Sequence, residues 1–238
     1  MRRAIVFSGG GVFGAWQAGA WRALEARLPG RPDVIVGASV GSLNGYAIAG
    51  GASAAELCEF WMQPQVGRFR RLPDTIRTLM ERYPLRMEYA LTLTDLAAMK
   101  PRMVHGPDVT WKHLAASCAI PGLIPQRRIG GRWYSDGGLL NPLPVWAAVA
   151  MGATEIIAVH ALPEIPSVVL KPFVRGFRKA FGYHPPLPKD VELVTIQPEG
   201  ALGSVRDALA WKQENVERWI ALGEEAAKNI SIPNCFWR

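Results

Sequence analysis

The pentapeptide Gly37-Ala38-Ser39-Val40-Gly41 places a serine two residues from a glycine on either side. This G-x-S-x-G spacing is that of a nucleophile elbow. In it a serine sits on a strained strand-to-helix turn, and the glycines let neighbouring backbone pass without a Cβ clash. The chemistry such a serine performs is acyl transfer through an acyl-serine. A tight turn with a capping serine gives the same five letters, so context decides. Here an apolar β-branched run, Val34-Ile35-Val36, precedes the motif, and a stretch of small residues follows it.

A second cluster, Gly9-Gly10-Gly11-Val12-Phe13-Gly14, lies upstream. As G-x-G-x-x-G it matches a dinucleotide-binding loop, which needs an acidic residue at the end of the second strand. Asp33 has nearly the right separation but begins that strand, whose end is taken by Gly37–Gly41. Nucleotide binding is therefore the weaker use. The stronger one is anion stabilisation, because backbone N–H groups at a helix N-terminus favour a developing oxyanion. In a parallel sheet the loop after strand one and the elbow after the next strand emerge at the same edge. The Gly10 and Gly11 amides would then face the carbonyl that Ser39 attacks.

A serine needs a base. The histidines are His105, His113, His160 and His184. The order Ser39, Asp136, then His160 or His184 fits an α/β-hydrolase triad, but that fold places several strands before its elbow. Only 36 residues precede Gly37, which leaves room for one. Asp136 lies in Ser135-Asp136-Gly137-Gly138, where glycines again permit close backbone approach, although an ordinary D-G turn reads the same way.

The elements that must position these groups alternate in type. Ala4–Phe7 reads as a strand, 15–28 as a helix and Val34–Val36 as a strand, a βαβ unit with a right-handed crossover. Helices are expected over 40–49, 54–62 (capped by Ser53 with Glu56), 110–118, 144–151 and, as one long element, 205–228. Strands are expected over 89–95, 156–160 and 192–196, with 133–134 extended and 74–82 amphipathic. Such alternation argues for a mostly parallel sheet covered on both faces.

At 238 residues, 49% hydrophobic and 20% charged, the chain suits one globular α/β domain over residues 1–238. The formal charge of +7 favours anionic surfaces. Cys58, Cys118 and Cys235 are widely spaced, with no metal-binding cluster, so a reducing cytoplasm is expected and neither metal nor disulfide framework is. No stretch approaches the ~18 apolar residues of a membrane span. The apolar run near the N-terminus is cut by Ser8 and three glycines, and reads as a strand rather than a signal peptide.

Together the blocks resemble the patatin-like phospholipases. The resemblance rests on Gly9–Gly14 after the first strand, Gly37–Gly41 after the next, and Asp136-Gly137-Gly138, in that order. Leu93-Thr94-Asp95-Leu96, the stretch 116–125 and Asn141-Pro142 with Pro144 look similar too, so the likeness spans residues 4 to about 160. It implies a three-layer α/β/α sandwich with a mostly parallel central sheet. It also implies a Ser–Asp dyad without histidine, Ser39 the nucleophile and Asp136 the base. The amides of Gly9, Gly10 and Gly11 would form the oxyanion hole, with Gly14, Gly37, Gly41, Gly137 and Gly138 as supporting motif positions. No cofactor is implied. The activity implied is a serine lipid acyl hydrolase on a lipid or other acyl ester. The alternatives are an acyltransferase with the same nucleophile, or a catalytically weak relative that binds lipid or a partner. One departure is Phe13, where the family usually carries Arg or Lys; it leaves the amides as the evident oxyanion donors and weakens any pairing with a substrate phosphate.

Residues 160–190 are proline-rich, and Phe173, Phe177 and Phe181 recur at i, i+4 and i+8 beside Arg175, Arg178 and Lys179. The segment reads as a lid or as a peripheral contact with anionic membrane. The competing expectation, favoured by periodicity, is that the phenylalanines pack onto the domain. The tryptophans read as core or rim, and no nucleic-acid motif accompanies the basic charge.

Overall fold

The structure, a computed structural model, describes residues 1–167 and 170–232. Cys235 and Trp237 lie outside the described residues. In chain order the elements are β1 (Arg3–Phe7), α1 (Gly14–Arg27), β2 (Val34–Ala38), α2 (Val40–Ala49), α3 (Ala54–Met62) and α4 (Leu72–Arg82). Then come β3 (Glu88–Asp95), β4 (Lys100–His105), α5 (Trp111–Ser117), β5 (Arg127–Ile129), β6 (Arg132–Ser135) and α6 (Val145–Ala150). The chain continues with β7 (Glu155–Val159), α7 (Leu170–Phe181), β8 (Glu192–Ile196), α8 (Val205–Leu209) and α9 (Gln213–Asn229).

Five strands are mutually parallel in the spatial order β3-β2-β1-β7-β8. Their period of two divides the apolar side chains between two faces. Ile5, Phe7, Ile35, Tyr89, Leu91, Ile157 and Val159 join the larger core with α1 to α5, and α9. Ala4, Val6, Val34, Val36, Ala90, Ile156 and Ala158 face Ala147 and Ala148 of α6. The result is the expected three-layer α/β/α sandwich, with the larger helical layer on one side. Ser53 and Glu56 close the expected capping box on α3, Glu56 N to Ser53 Oγ at 3.2 Å and Ser53 N to Glu56 Oε2 at 3.0 Å.

β3 acts as a shared rail. Along one edge β4 runs antiparallel to it, from Ala90 opposite His105 to Asp95 opposite Lys100. Along the other, β2 runs parallel and stops at Ala38 opposite Thr92, and β6 enters antiparallel, pairing Ser135 with Thr94 and Tyr134 with Asp95. β2 and β6 therefore point at each other along the same edge of β3, with Leu93 between the last paired residues. The next residue past each strand is Ser39 in one case and Asp136 in the other.

Three elements depart from the sequence expectation. β4 and β5 were not foreseen. β4 is an edge strand carrying Pro101 and three basic residues or histidine (Lys100, Arg102 and His105), a composition that strands away from the sheet centre tolerate. The long C-terminal helix is two helices, α8 and α9, broken at 210–212. There Trp211 turns inward and its indole N–H donates to Trp61 O at 2.8 Å, which a continuous helix would not allow.

Candidate active site

Ser39 has φ 52° and ψ −129°, a conformation that non-glycine residues rarely adopt, immediately before α2 begins. Two glycines make room for it. A Cβ on Gly37 would stand 2.3 Å from Gly41 O, and one on Gly41 would stand 2.5 Å from both Phe7 O and Ser8 O. The strained turn is held by Ser117, whose Oγ accepts from Ser39 N at 2.9 Å and donates to Thr92 O at 2.8 Å.

Asp136 is fastened as firmly at its backbone. Its N–H donates to Ala119 O at 3.0 Å, and its carbonyl accepts from Thr94 Oγ1 at 2.8 Å. The carboxylate bridges two donors. Ser39 Oγ donates to Oδ2 at 2.6 Å and Gly138 N donates to Oδ1 at 2.7 Å. The structure therefore brings Ser39 and Asp136 into direct contact. Burial raises the Asp136 carboxyl to about 6, although the bonds from Ser39 and Gly138 and the nearby Arg178 guanidinium pull it down.

Of the three loop amides, that of Gly9 is already engaged, donating to Pro142 O at 2.9 Å. This corrects the expectation that all three serve an oxyanion. Gly10 and Gly11, at the start of a 3-10 turn before α1, have N–H groups with no acceptor among the described residues. The loop rests on a buried polar chain that motif reasoning missed. Gln17 Nε2 donates to Ser8 O at 2.7 Å, Asn44 Nδ2 donates to Gln17 Oε1 and Gly14 O at 2.9 Å each, and Trp61 Nε1 donates to Asn44 Oδ1 at 2.9 Å. Nothing in the spacing of Ser117, Gln17 or Asn44 announces these roles.

Phe13 does not face the site. It is fully buried and packs edge-on against Trp219, ring centroids 4.9 Å apart. A basic side chain here would enter the core, so the position cannot be judged by adding a charge.

None of the four histidines lines the cavity at Ser39. His113 Nδ1 accepts from Thr110 N at the start of α5, and His105 ends β4. His160 follows β7, and burial with the Arg178 guanidinium holds it down at about 4, hence neutral at pH 7. Asp33 accepts from Arg3 N at 2.8 Å, at the opposite end of β2 from the elbow, which removes the ribose ligand a nucleotide reading needs. Among the described residues no group of three or more His, Cys, Asp and Glu stands close enough to hold a metal.

Above the dyad lies a cavity of about 640 Å³. Its floor is Ser39, Asp136 and Gly9–Gly11; its walls include Met99, Ile120, Leu139, Leu162, Val205 and Leu209; Ile165, Pro166, Phe173, Val174 and Phe177 close one side. Even so, α7 departs from the packing that periodicity favours. Phe177 is half-buried, but Phe173 is 74% exposed and Phe181 49%.

The family model for patatin-like phospholipases matches residues 5–103 and 107–149, more than half of the sequence. The chain belongs to this family. Patatin-like phospholipase domain-containing protein 7 of Rattus norvegicus is 27% identical over 181 residues, a match that takes in 66% of this chain and 13% of that protein. Lysophospholipase NTE1 of Mycosarcoma maydis is 30% identical over 179 residues, 65% of this chain and 9% of the relative. The patatin-like chain thus spans a small part of the length of these relatives. The crystal structure of VipD from Legionella pneumophila superposes with a TM-score of 0.59 at 13% identity, over 95% of this chain and 66% of that one, a likeness of fold.

Proposed function

We propose that this patatin-like chain is a serine lipid acyl hydrolase working through Ser39 and Asp136. The observation that carries the reading is the 2.6 Å bond from Ser39 Oγ to Asp136 Oδ2 at the floor of an apolar cavity. As Oγ attacks the ester carbonyl carbon, its proton passes to Oδ2, and the carbonyl oxygen becomes an oxyanion facing the Gly10 and Gly11 amides. Collapse breaks the bond to the leaving alkoxide, which takes the proton from Asp136, and the acyl group stays on Ser39. Water then attacks the acyl carbon, giving a proton to Asp136; the bond from that carbon to Ser39 Oγ breaks, Oγ takes the proton back from Asp136, and the carboxylic acid leaves. A carboxyl near 6 is a better base than an ordinary aspartate, and proton transfer accompanies attack rather than preceding it.

The reading takes residues 1–238 as one domain in which 160–190 covers the acyl cavity. Exposed Phe173 and Phe181 beside Lys171, Arg175 and Lys179 support contact of α7 with anionic lipid. Among the described residues no helix is long and apolar enough to cross a membrane.

The test is labelling by a fluorophosphonate probe, together with hydrolysis of esters of graded chain length. Wild type is expected to label and turn over. Ser39→Ala should lose the label, and Asp136→Asn should lose about 10²- to 10⁴-fold in rate, the usual contribution of a general base. An unlabelled wild type, or an Asp136→Asn variant of full activity, would overturn the dyad.

A further inference from the structure

Most of the cavity wall is apolar, and among the described residues lining it only Asp136 and Arg178 are charged. Asp136 is occupied by Ser39 and Gly138. Arg178 is not occupied in the same way. It is half-buried, its Nη2 donates to Gly138 O at 3.3 Å, and its buried Nε has no acceptor. The other described cations of α7 behave differently: Lys171 pairs with Glu164, while Arg175 and Lys179 point to solvent. A half-buried guanidinium whose neighbouring carboxylate, Asp136, is already bonded to Ser39 and Gly138 gains from an anion that completes its hydrogen bonds. Its planar fork suits two oxygens of a phosphate.

The placement adds a second argument. Val174 and Arg178 are one helical turn apart, and both line the cavity with Phe177. The same helix face therefore offers apolar surface to an acyl chain and one cation beside the base. Position 13, where the family's cation would stand, is committed to the core by its contact with Trp219.

Resting on the hydrolase reading above, we propose that Arg178 is a specificity-determining residue that receives the phosphate of a glycerophospholipid substrate, so that phosphate-bearing acyl lipids are preferred over neutral glycerides. The bond broken remains the acyl ester; the phosphate is bound, not transferred.

The experiment compares kcat/KM for a lysophosphatidylcholine and a monoacylglycerol of the same acyl chain in wild type, Arg178→Gln, Arg178→Lys and, as a control at an exposed arginine between α1 and β2, Arg31→Gln. Melting curves accompany each variant, and fluorophosphonate labelling of Ser39 is measured in parallel. The expected result is a fall in the phospholipid-to-glyceride ratio of about 10- to 100-fold in Arg178→Gln, the worth of a hydrogen bond to a charged group. Arg178→Lys should restore part of it, and Arg31→Gln should keep the wild-type ratio. An unchanged ratio in folded, labelled Arg178→Gln overturns the assignment and leaves the hydrolase reading standing. Equal loss on both substrates, with the acid limb of kcat/KM moved upward, also overturns it, because Arg178 then acts through Asp136. If inorganic phosphate inhibits wild type but not Arg178→Gln while the ratio stays fixed, the anion is a free effector and not the headgroup. A wild type that neither labels nor hydrolyses either lipid overturns both readings.

Discussion

Replacing Asp136 with Asn separates the cost of burying a carboxylate from everything else at the site. Asn keeps the shape and both contacts: its oxygen accepts from Gly138 N, and its NH2 donates to Ser39 Oγ, the reverse of the present bond. What it loses is titration. The carboxyl rises from an ordinary 3.8 to about 6 in the folded protein, a displacement of about 2, and each pH unit is worth about 1.4 kcal/mol. Holding the charged form thus costs the folded state about 3 kcal/mol. Between pH 3.8 and about 6 the folded protein binds more protons here than the unfolded chain, so this contribution to stability falls as pH rises through that window and is level above it. Urea unfolding of wild type and Asp136→Asn from pH 4 to pH 8 isolates the effect, since the other groups cancel in the difference. The variant should gain on wild type by about 3 kcal/mol across the series, or about 6–12 °C in Tm for a domain of this size. A difference constant to within about 1 kcal/mol would mean the carboxyl titrates like an exposed one, and the burial argument fails.

Three further outcomes follow from the geometry. Because Asp136 works ionised, kcat/KM on a neutral ester should rise with pH along an acid limb near 6; a limb near 4 counts against the raised base. Gly41→Ala drives a methyl into Phe7 O and Ser8 O at 2.5 Å, so unfolding free energy should drop by about 3 kcal/mol or more, and an unaltered denaturation midpoint would contradict the elbow packing. Phe173→Ser with Phe181→Ser should leave the melting temperature within a few degrees, since both side chains are largely exposed. The pair should also reduce co-sedimentation with anionic vesicles, and full retention of binding would remove α7 as the lipid contact.

The parallel strands were legible because Val34-Ile35-Val36 and Ile156–Val159 are apolar on both faces, as sheet centres must be. The meeting of Ser39 with Asp136 was legible because glycines at 37, 41, 137 and 138 mark close backbone approaches that few other residues permit. The supports were not. Ser117 and Asn44 are ordinary polar residues in helices, and their partners lie 78 and 27 to 30 positions away, so no local pattern encodes them. Phe13 could be identified as a departure from the family, but its burial against Trp219 depends on α9, more than 200 residues later. The break at 210–212 was hidden for the same reason: Ala210-Trp211-Lys212 has adequate helix propensity, and a distant carbonyl at Trp61 overrides it.

The head-on meeting of β2 and β6 makes β3 a ruler for the spacing of Ser39 and Asp136. Ser39 and Asp136 are tied to it at Thr92 and Thr94, two notches apart, and each notch is about 3.3 Å. A residue inserted at Leu93 would lengthen the gap by more than the dyad's own 2.6 Å bond and turn one neighbour to the opposite face of the pleat. The gap between Ser39 and Asp136 is thus set in a strand that grips the Asp136 backbone through Thr94 Oγ1. A change in the length of that strand would separate Ser39 from Asp136 without altering either residue.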